Sequence, residues 1–391
     1  MKLLPLLIFW CLWFLNFSTR TTFSPLLPLI EDNLSISHGA VGGLFTSYGV
    51  GYALALVVAG RFVSSWGYKR VVVLGFVGMG LVLLCFQWAE SYLVLHALFL
   101  TLGFASGTYM PSILSIITET YDQRHWGKAI GIHDSAASLS IFSAPILITL
   151  GLQLLPWRRL LLFLGLPCLV FPIFFWKVSR EPLQDHSRQG VRYIDLFRRR
   201  GTWIMALLWM VSAASNLGVY SILPLYLIKE RGMDFALANT LFGVSRVGGI
   251  SVSILTGFLT DRYGYRRMLK WSILTTGLST VLLALSSNLT QILISLILQA
   301  TFSLAFFPAG LAAISKLTPF SERSAVLGMT LALGVVLGTG GAPFILGLVA
   351  DRFSFQVGIF WLGVLTTLSA LAVKFLKDAP TPPLDKPTSI Y

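Results

Sequence analysis

Residues 60–70 read GRFVSSWGYKR, and residues 257–267 read GFLTDRYGYRR. At a shift of 197 residues Gly60 falls on Gly257, Gly67 on Gly264, Tyr68 on Tyr265 and Arg70 on Arg267. The register holds outward in both directions. Leu44 falls on Leu241, Phe45 on Phe242, Gly51 on Gly248, Pro111 on Pro308 and Gly131 on Gly328. Pro28 matches Pro224 at a shift of 196, and Pro145 matches Pro343 at 198. A near-constant offset over so long a stretch marks two related halves.

The halves are built for lipid. The chain is 55% hydrophobic and 12% charged, with a mean hydropathy of +0.78. Soluble domains carry about 25% charge. Twelve apolar runs, from 4–29 to 355–376, are long enough for membrane helices and too long for barrel strands. The expected fold is all-α: two pseudo-symmetric six-helix bundles, 1–178 and 202–376, related by an axis along the membrane normal. The basic segment 179–201, SREPLQDHSRQGVRYIDLFRRRG, reads as a linker, and the proline-rich 377–391 as a disordered tail.

Charge sets the orientation. Of the 29 Lys and Arg, 22 fall on one side of the runs and 5 on the other; Arg20 and Arg246 lie inside runs. The positive-inside rule then puts both termini in the cytoplasm, in a multi-pass protein of the cytoplasmic membrane. The net charge of +13 is topology signal, so no nucleic-acid partner is expected. Cys11, Cys85 and Cys168 lie far apart in apolar runs, with no metal-ligand spacing. The N-terminus has no small-x-small cleavage site and reads as a retained span. No nucleotide loop or catalytic elbow occurs, so neither a cofactor nor an enzyme is expected.

With the repeat and the loop motif in place, the chain resembles the major facilitator superfamily over nearly its whole length. Gly257, Asp261, Arg262, Gly264 and Arg267 fit the family loop between spans eight and nine. The first-half copy keeps Gly60, Gly67, Lys69 and Arg70 but has Ser64 in place of the acid. Glycine allows close helix approach, and the carboxylate can meet a helix N-terminus and the loop arginines. The resemblance implies a cytoplasmic gate that this loop holds shut, stronger at Asp261 than at Ser64.

Two intramembrane arginines lead the search for a site. A cation at mid-membrane costs about 2.5–3.5 kcal/mol on insertion scales. Arg20 has Asn16 and Ser24 one turn to either side, a polar stripe expected to face a cavity. Arg20, Phe23 and Pro28 are similar to the first span of organophosphate antiporters, where the arginine meets the substrate anion. Arg246 lies on a stripe of Asn239, Gly243, Ile250 and Ser253 and resembles the carboxylate-binding arginine of monocarboxylate porters. Its repeat equivalent is Gly49, so the scaffold does not demand it. Asn216, the equivalent of Arg20, and Tyr220 are further substrate candidates. His133 and Asp134 in span five are proton-coupling candidates, and their 100° separation on a helix leaves room for only one in a cavity.

The expected function is secondary transport of a small organic anion by alternating access, coupled to protons, by a monomer in lipid. Two alternatives stay open: an exporter of amphipathic drugs or metabolites with structural arginines, and a non-transporting sensor on the same fold.

Overall fold

In lipid every backbone N–H and C=O must be satisfied within the segment, so the apolar runs become helices. The computed structural model describes residues 3–182, 199–318 and 322–376. Most of the expected linker and all of the tail lie outside the described residues. The first span is α1 (Leu3–Thr21) and α2 (Phe23–Leu34), joined through Thr22, whose N–H bonds the Ser18 carbonyl at 3.1 Å. There follow α3 (His38–Trp66), α4 (Tyr68–Cys85), α5 (Tyr92–Gly107), α6 (Tyr109–Thr120), α7 (Trp126–Leu152) and α8 (Trp157–Val178).

The second half begins with α9 (Arg200–Ala213), which passes through π-helical Ala214–Gly218 into α10 (Val219–Leu225). Then come α11 (Phe235–Val244), α12 (Gly248–Tyr263), α13 (Tyr265–Leu285) and α14 (Leu289–Leu317). α15 (Arg323–Leu333) continues through π-helical Gly334–Gly340 into α16 (Gly341–Arg352), and α17 (Phe355–Ser369) closes the bundle. The described residues contain no strand.

Among the described residues, eleven helices are long and apolar enough to cross a membrane. The expected eighth span is not one of them. It is split into α11 and α12, of 10 and 16 residues, parted at Ser245–Val247. Through the gap the Arg246 N–H bonds Gly243 O at 3.0 Å and the Val247 N–H bonds Val244 O at 3.2 Å, the tighter three-residue reach of a 3₁₀ turn.

The repeat survives in the backbone. Gly67 and Gly264 end α3 and α12 with φ of 83° and 84°, a left-handed region that only glycine enters freely. At the other end of the bundle polar caps start the helices: Ser37 for α3, Ser91 for α5, Asp234 for α11, Asn288 for α14 and Ser354 for α17.

The two halves meet at that capped end. α2 packs on α10, α3 on α16, and α7 on α11. The α3–α16 seam is backbone against backbone: a Cβ on Gly42 would lie 2.4 Å from Pro343 O, and one on Gly347 2.3 Å from His38 O. Thr46 Oγ1 adds a bond to Gly340 O at 2.8 Å. Ion pairs close the rim, where Lys229 of the second half pairs with Asp32 and lies 3.9 Å from Glu31.

The opposite end is open. Gly60, Gly131, Gly257, Gly264 and Gly328 have nothing within 4 Å of an added Cβ. Asp261 makes no ion pair or hydrogen bond with a described residue, and Arg262 lies over the ring of its neighbour Tyr263 at 5.4 Å. Arg70 is exposed. The close approach expected of the loop glycines is therefore not made in this state, because the bundles converge at the other end. Ser64 donates to Arg61 O at 2.9 Å, a bond within its own helix. The acid missing at Ser64 comes from elsewhere: Glu181 accepts the Tyr68 and Lys69 N–H groups at 2.5 and 3.2 Å and caps α4 beside Gly67.

Candidate functional site

One turn of α7 gathers the site. The Ser140 hydroxyl lies 2.9 Å from Ser18 Oγ and 2.8 Å from Thr21 Oγ1 of α1. The next carbonyl, Ile141 O, accepts Tyr220 Oη of α10 at 3.2 Å. The next, Phe142 O, lies 2.9 Å from the Cβ position of Gly243 on α11. Small residues at Ser140, Thr21 and Gly243 let three helices reach one level. Arg20 is one residue from Thr21, and Arg246 is three from Gly243. Both arginines therefore stand on backbone close to this turn, one from each half.

Their surroundings are aromatic and, among the described residues, lack a counter-ion. Arg20 Cζ lies 3.8 Å above the Phe17 ring. Arg246 Cζ lies 5.1 Å from the Tyr220 ring and 5.7 Å from that of Phe242, and those two rings are 4.4 Å apart. Tyr220 lies within electrostatic reach of both guanidinium groups. Neither arginine forms an ion pair with a described residue. Arg246 is 5% exposed, and its Nε and Nη2 are buried without a hydrogen-bond partner; so is Nε of the half-buried Arg20. Cation–π contact offsets part of the cost of burying a cation, but it leaves the N–H donors unfilled.

A small cavity of about 10 Å³, the space of about one water, sits between the halves against Arg20, Tyr48, Gly49, Tyr220 and Thr339. Gly49 is the repeat equivalent of Arg246. The absence of a side chain there leaves room facing Arg20, with Val335 O and Gly340 just beyond it.

Asn16 is not part of this cavity. It is 2% exposed, and its Nδ2 donates to Ser106 O at 3.1 Å and lies 3.6 Å from Met79 Sδ, inside the first bundle. Ser24 crosses to the second half, donating to the Tyr220 and Ser221 carbonyls at 2.7 and 3.0 Å. Each four-residue step turns a helix by 40° beyond a full circle, so positions 16 and 24 differ by about 80°. The stripe winds, and only Arg20 faces the cavity. Asn216 lies in the π-helical turn of the second half, 2% exposed, with Nδ2 unpartnered. Gln299 holds that turn, donating to Ser215 O at 2.5 Å. The side chains of Ile250 and Ser253, on the expected Arg246 stripe, lie outside the described residues.

The His133–Asp134 pair divides as one helix step requires. His133 is 1% exposed, 3.0 Å from Tyr109 Oη through Nε2, with its ring stacked on Trp13. Asp134 is exposed, and Oδ1 accepts Trp13 Nε1 at 3.3 Å. It has no arginine partner among the described residues. It sits six residues from Ser140, ~9 Å toward the open end at 1.5 Å per residue. The sequence reading missed Trp13, Ser140, Thr21 and Glu181. Trp and Ser in apolar spans look like ordinary packing residues, and Glu181 lies beyond the loop it serves.

Helices packed as two repeat-related halves, with two arginines near their junction, are the arrangement of a multi-pass membrane transporter. The chain belongs to the Major Facilitator Superfamily: the family model matches residues 9–259 and 238–389. It is similar to the "Probable sulfoacetate transporter SauU" of Cupriavidus necator, at 23% identity over 95% of this chain and 92% of that one. It is also similar to the "Multidrug resistance protein MdtL" of Salmonella typhimurium, at 28% identity over 80% of each chain. Among solved structures, an inward-facing, occupied bacterial homologue of the human lysosomal transporter Spinster superposes with a TM-score of 0.81 at 16% identity. It covers 95% of this chain and 96% of that one. The family is one of transporters, not enzymes.

Proposed function

We propose that the protein carries a small organic anion, a carboxylate, sulfonate or phosphate, across the cytoplasmic membrane by alternating access. The observation that carries this reading is the pair of guanidinium groups, one from each half, with buried N–H donors unfilled and no counter-ion among the described residues. Buried charge without a partner is costly, and a planar fork suits an oxyanion. A ligand that fills Arg20 and Arg246 together also bridges the two bundles, as a substrate must if it is to drive their rearrangement. Likeness to a protein named for sulfoacetate transport supports the same chemistry.

In this reading α11 and α12 form one crossing, which makes twelve, with the domain limits expected from the sequence. The open end is cytoplasmic by the distribution of Lys and Arg. The structure is then the inward-open state of a monomer. Asn216 and Tyr220 complete the substrate contacts. Asp134, exposed on the side of α7 toward the open end and without a cationic partner among the described residues, is the proton-coupling group. His133 packs behind it.

Likeness to multidrug resistance proteins favours a second reading, export of amphipathic compounds with the arginines structural. A thermal-shift screen of the purified protein separates them. Carboxylates, sulfonates or phosphates should raise its stability by mass action, and Arg20→Gln and Arg246→Gln should abolish the shift. Stabilisation by neutral or cationic amphiphiles alone, unchanged in the Gln variants, would sink the anion reading.

A further inference from the structure

α16 ends Gly347-Leu-Val-Ala-Asp351-Arg352, the Gly-x-x-x-Asp-Arg spacing of Gly257–Arg262 at the opposite end of the molecule. Here the unit is engaged. Asp351 Oδ1 accepts the His38 N–H and Oδ2 the Gly39 N–H, each at 2.9 Å. His38 and Gly39 are the first residues of α3, in the other bundle. Their N–H groups have no acceptor within the helix and carry the positive end of its dipole. One turn before the acid, Gly347 admits the His38 carbonyl to 2.3 Å of where a Cβ would stand. His38 Nδ1 in turn lies 2.7 Å from Glu31 Oε2, beside Lys229, so acid, helix end and rim ion pair form one cluster.

We propose that Gly347 and Asp351 form a second latch, the counterpart of Gly257 and Asp261, and that the two acids are engaged in turn. Asp351 holds the Lys229 end shut in the state described here, while Asp261 pairs with no described residue and Gly257 faces open space. When that end opens, α3 leaves Asp351 and the open end closes on Asp261. The latch rests on the alternating-access reading and sets the balance between its two states.

The test uses Ser24→Cys in a chain with Cys11, Cys85 and Cys168 replaced by serine. Ser24 is fully buried in the seam between the halves, so labelling by an impermeant maleimide from the Lys229 side reports opening. Asp351→Asn keeps one acceptor but turns an amide N–H₂ toward the other N–H. Labelling should rise about ten-fold, the loss of one charge-assisted hydrogen bond. Asp351→Asn with Asp261→Asn should return toward the parent rate. Gly347→Ala should also speed labelling, by forcing back the His38 carbonyl without touching the acid, and so covers a failure of the Asn variant to fold. Gly42→Leu, which drives a side chain into Pro343 O, is the wedge control. Rapid labelling in Gly42→Leu with parent rates in Asp351→Asn and Gly347→Ala overturns the latch and leaves alternating access standing. A seam that never labels, even in Gly42→Leu, overturns both.

Discussion

The two halves share a sequence register and a topology, yet their helices differ in kind. The first half is regular, apart from joints at Thr22 and Thr108. The second carries π-helical turns at Ala214–Gly218, Tyr226–Glu230 and Gly334–Gly340, and its eighth span breaks at Ser245–Val247 around Arg246. Such irregularities unseat backbone groups and gather at functional sites. The cations are unequally placed too. Arg20 has Asn216 as its repeat equivalent, and Arg246 has Gly49. The repeat sets the scaffold, and departures from it set the candidate site.

Erasing those departures should have the largest effect. Arg20→Asn and Arg246→Gly each install the residue of the other half. Either should lower uptake of the anion identified by thermal shift about 100-fold, through loss of charge-assisted bonds of about 1.5–3 kcal/mol each. The Lys variants, which keep charge but lose the fork, should lose about ten-fold in affinity. Normal uptake in the Asn and Gly variants would make the asymmetry a packing accident.

Asp134 tests the first half alone. In proteoliposomes with the outside acidic, the parent protein should accumulate substrate, because protons and anion enter together. Asp134→Asn should keep exchange and lose accumulation. His133→Gln should keep both, since His133 packs on Trp13 and Tyr109 away from the cavity. Accumulation retained in Asp134→Asn would move the proton site elsewhere.

The π-helical turn should give a smaller effect. Gln299→Leu removes the donor to Ser215 O, so the turn can relax toward a regular helix and rotate Asn216. Affinity should fall about 3–10-fold, with the chain still inserted, and hydrogen exchange at 214–218 should quicken. The smallest effect on transport belongs to Asn16→Ala. Its bonds lie within the first bundle, so it should cost about 0.5–1.5 kcal/mol of stability and leave substrate affinity unchanged. A large loss of affinity there would return Asn16 to the substrate site.

Much of this was legible in one dimension. Hydropathy gave the helices, and the 197-residue register matched Gly67 to Gly264, which share one left-handed backbone conformation. The eighth span was read as continuous because its composition is apolar throughout; the break at Arg246 is a matter of backbone geometry, not hydropathy. The Gly347–Asp351 unit has the spacing of Gly257–Asp261 but lies at the opposite end of the molecule, outside the loops that carry the family motif.

The sequence by itself determined the solvent, the repeat, and the presence of two cations where lipid should be. These are properties of composition and spacing, carried by each segment alone. Only the tertiary structure decided which way each residue turns. Nothing in an apolar helix fixes its rotation about its own axis; packing against its neighbours does. That packing sent Asn16 into the first bundle and Arg20 into the cavity, buried His133 and exposed Asp134 one residue later, and brought α1, α10 and α11 to a single turn of α7.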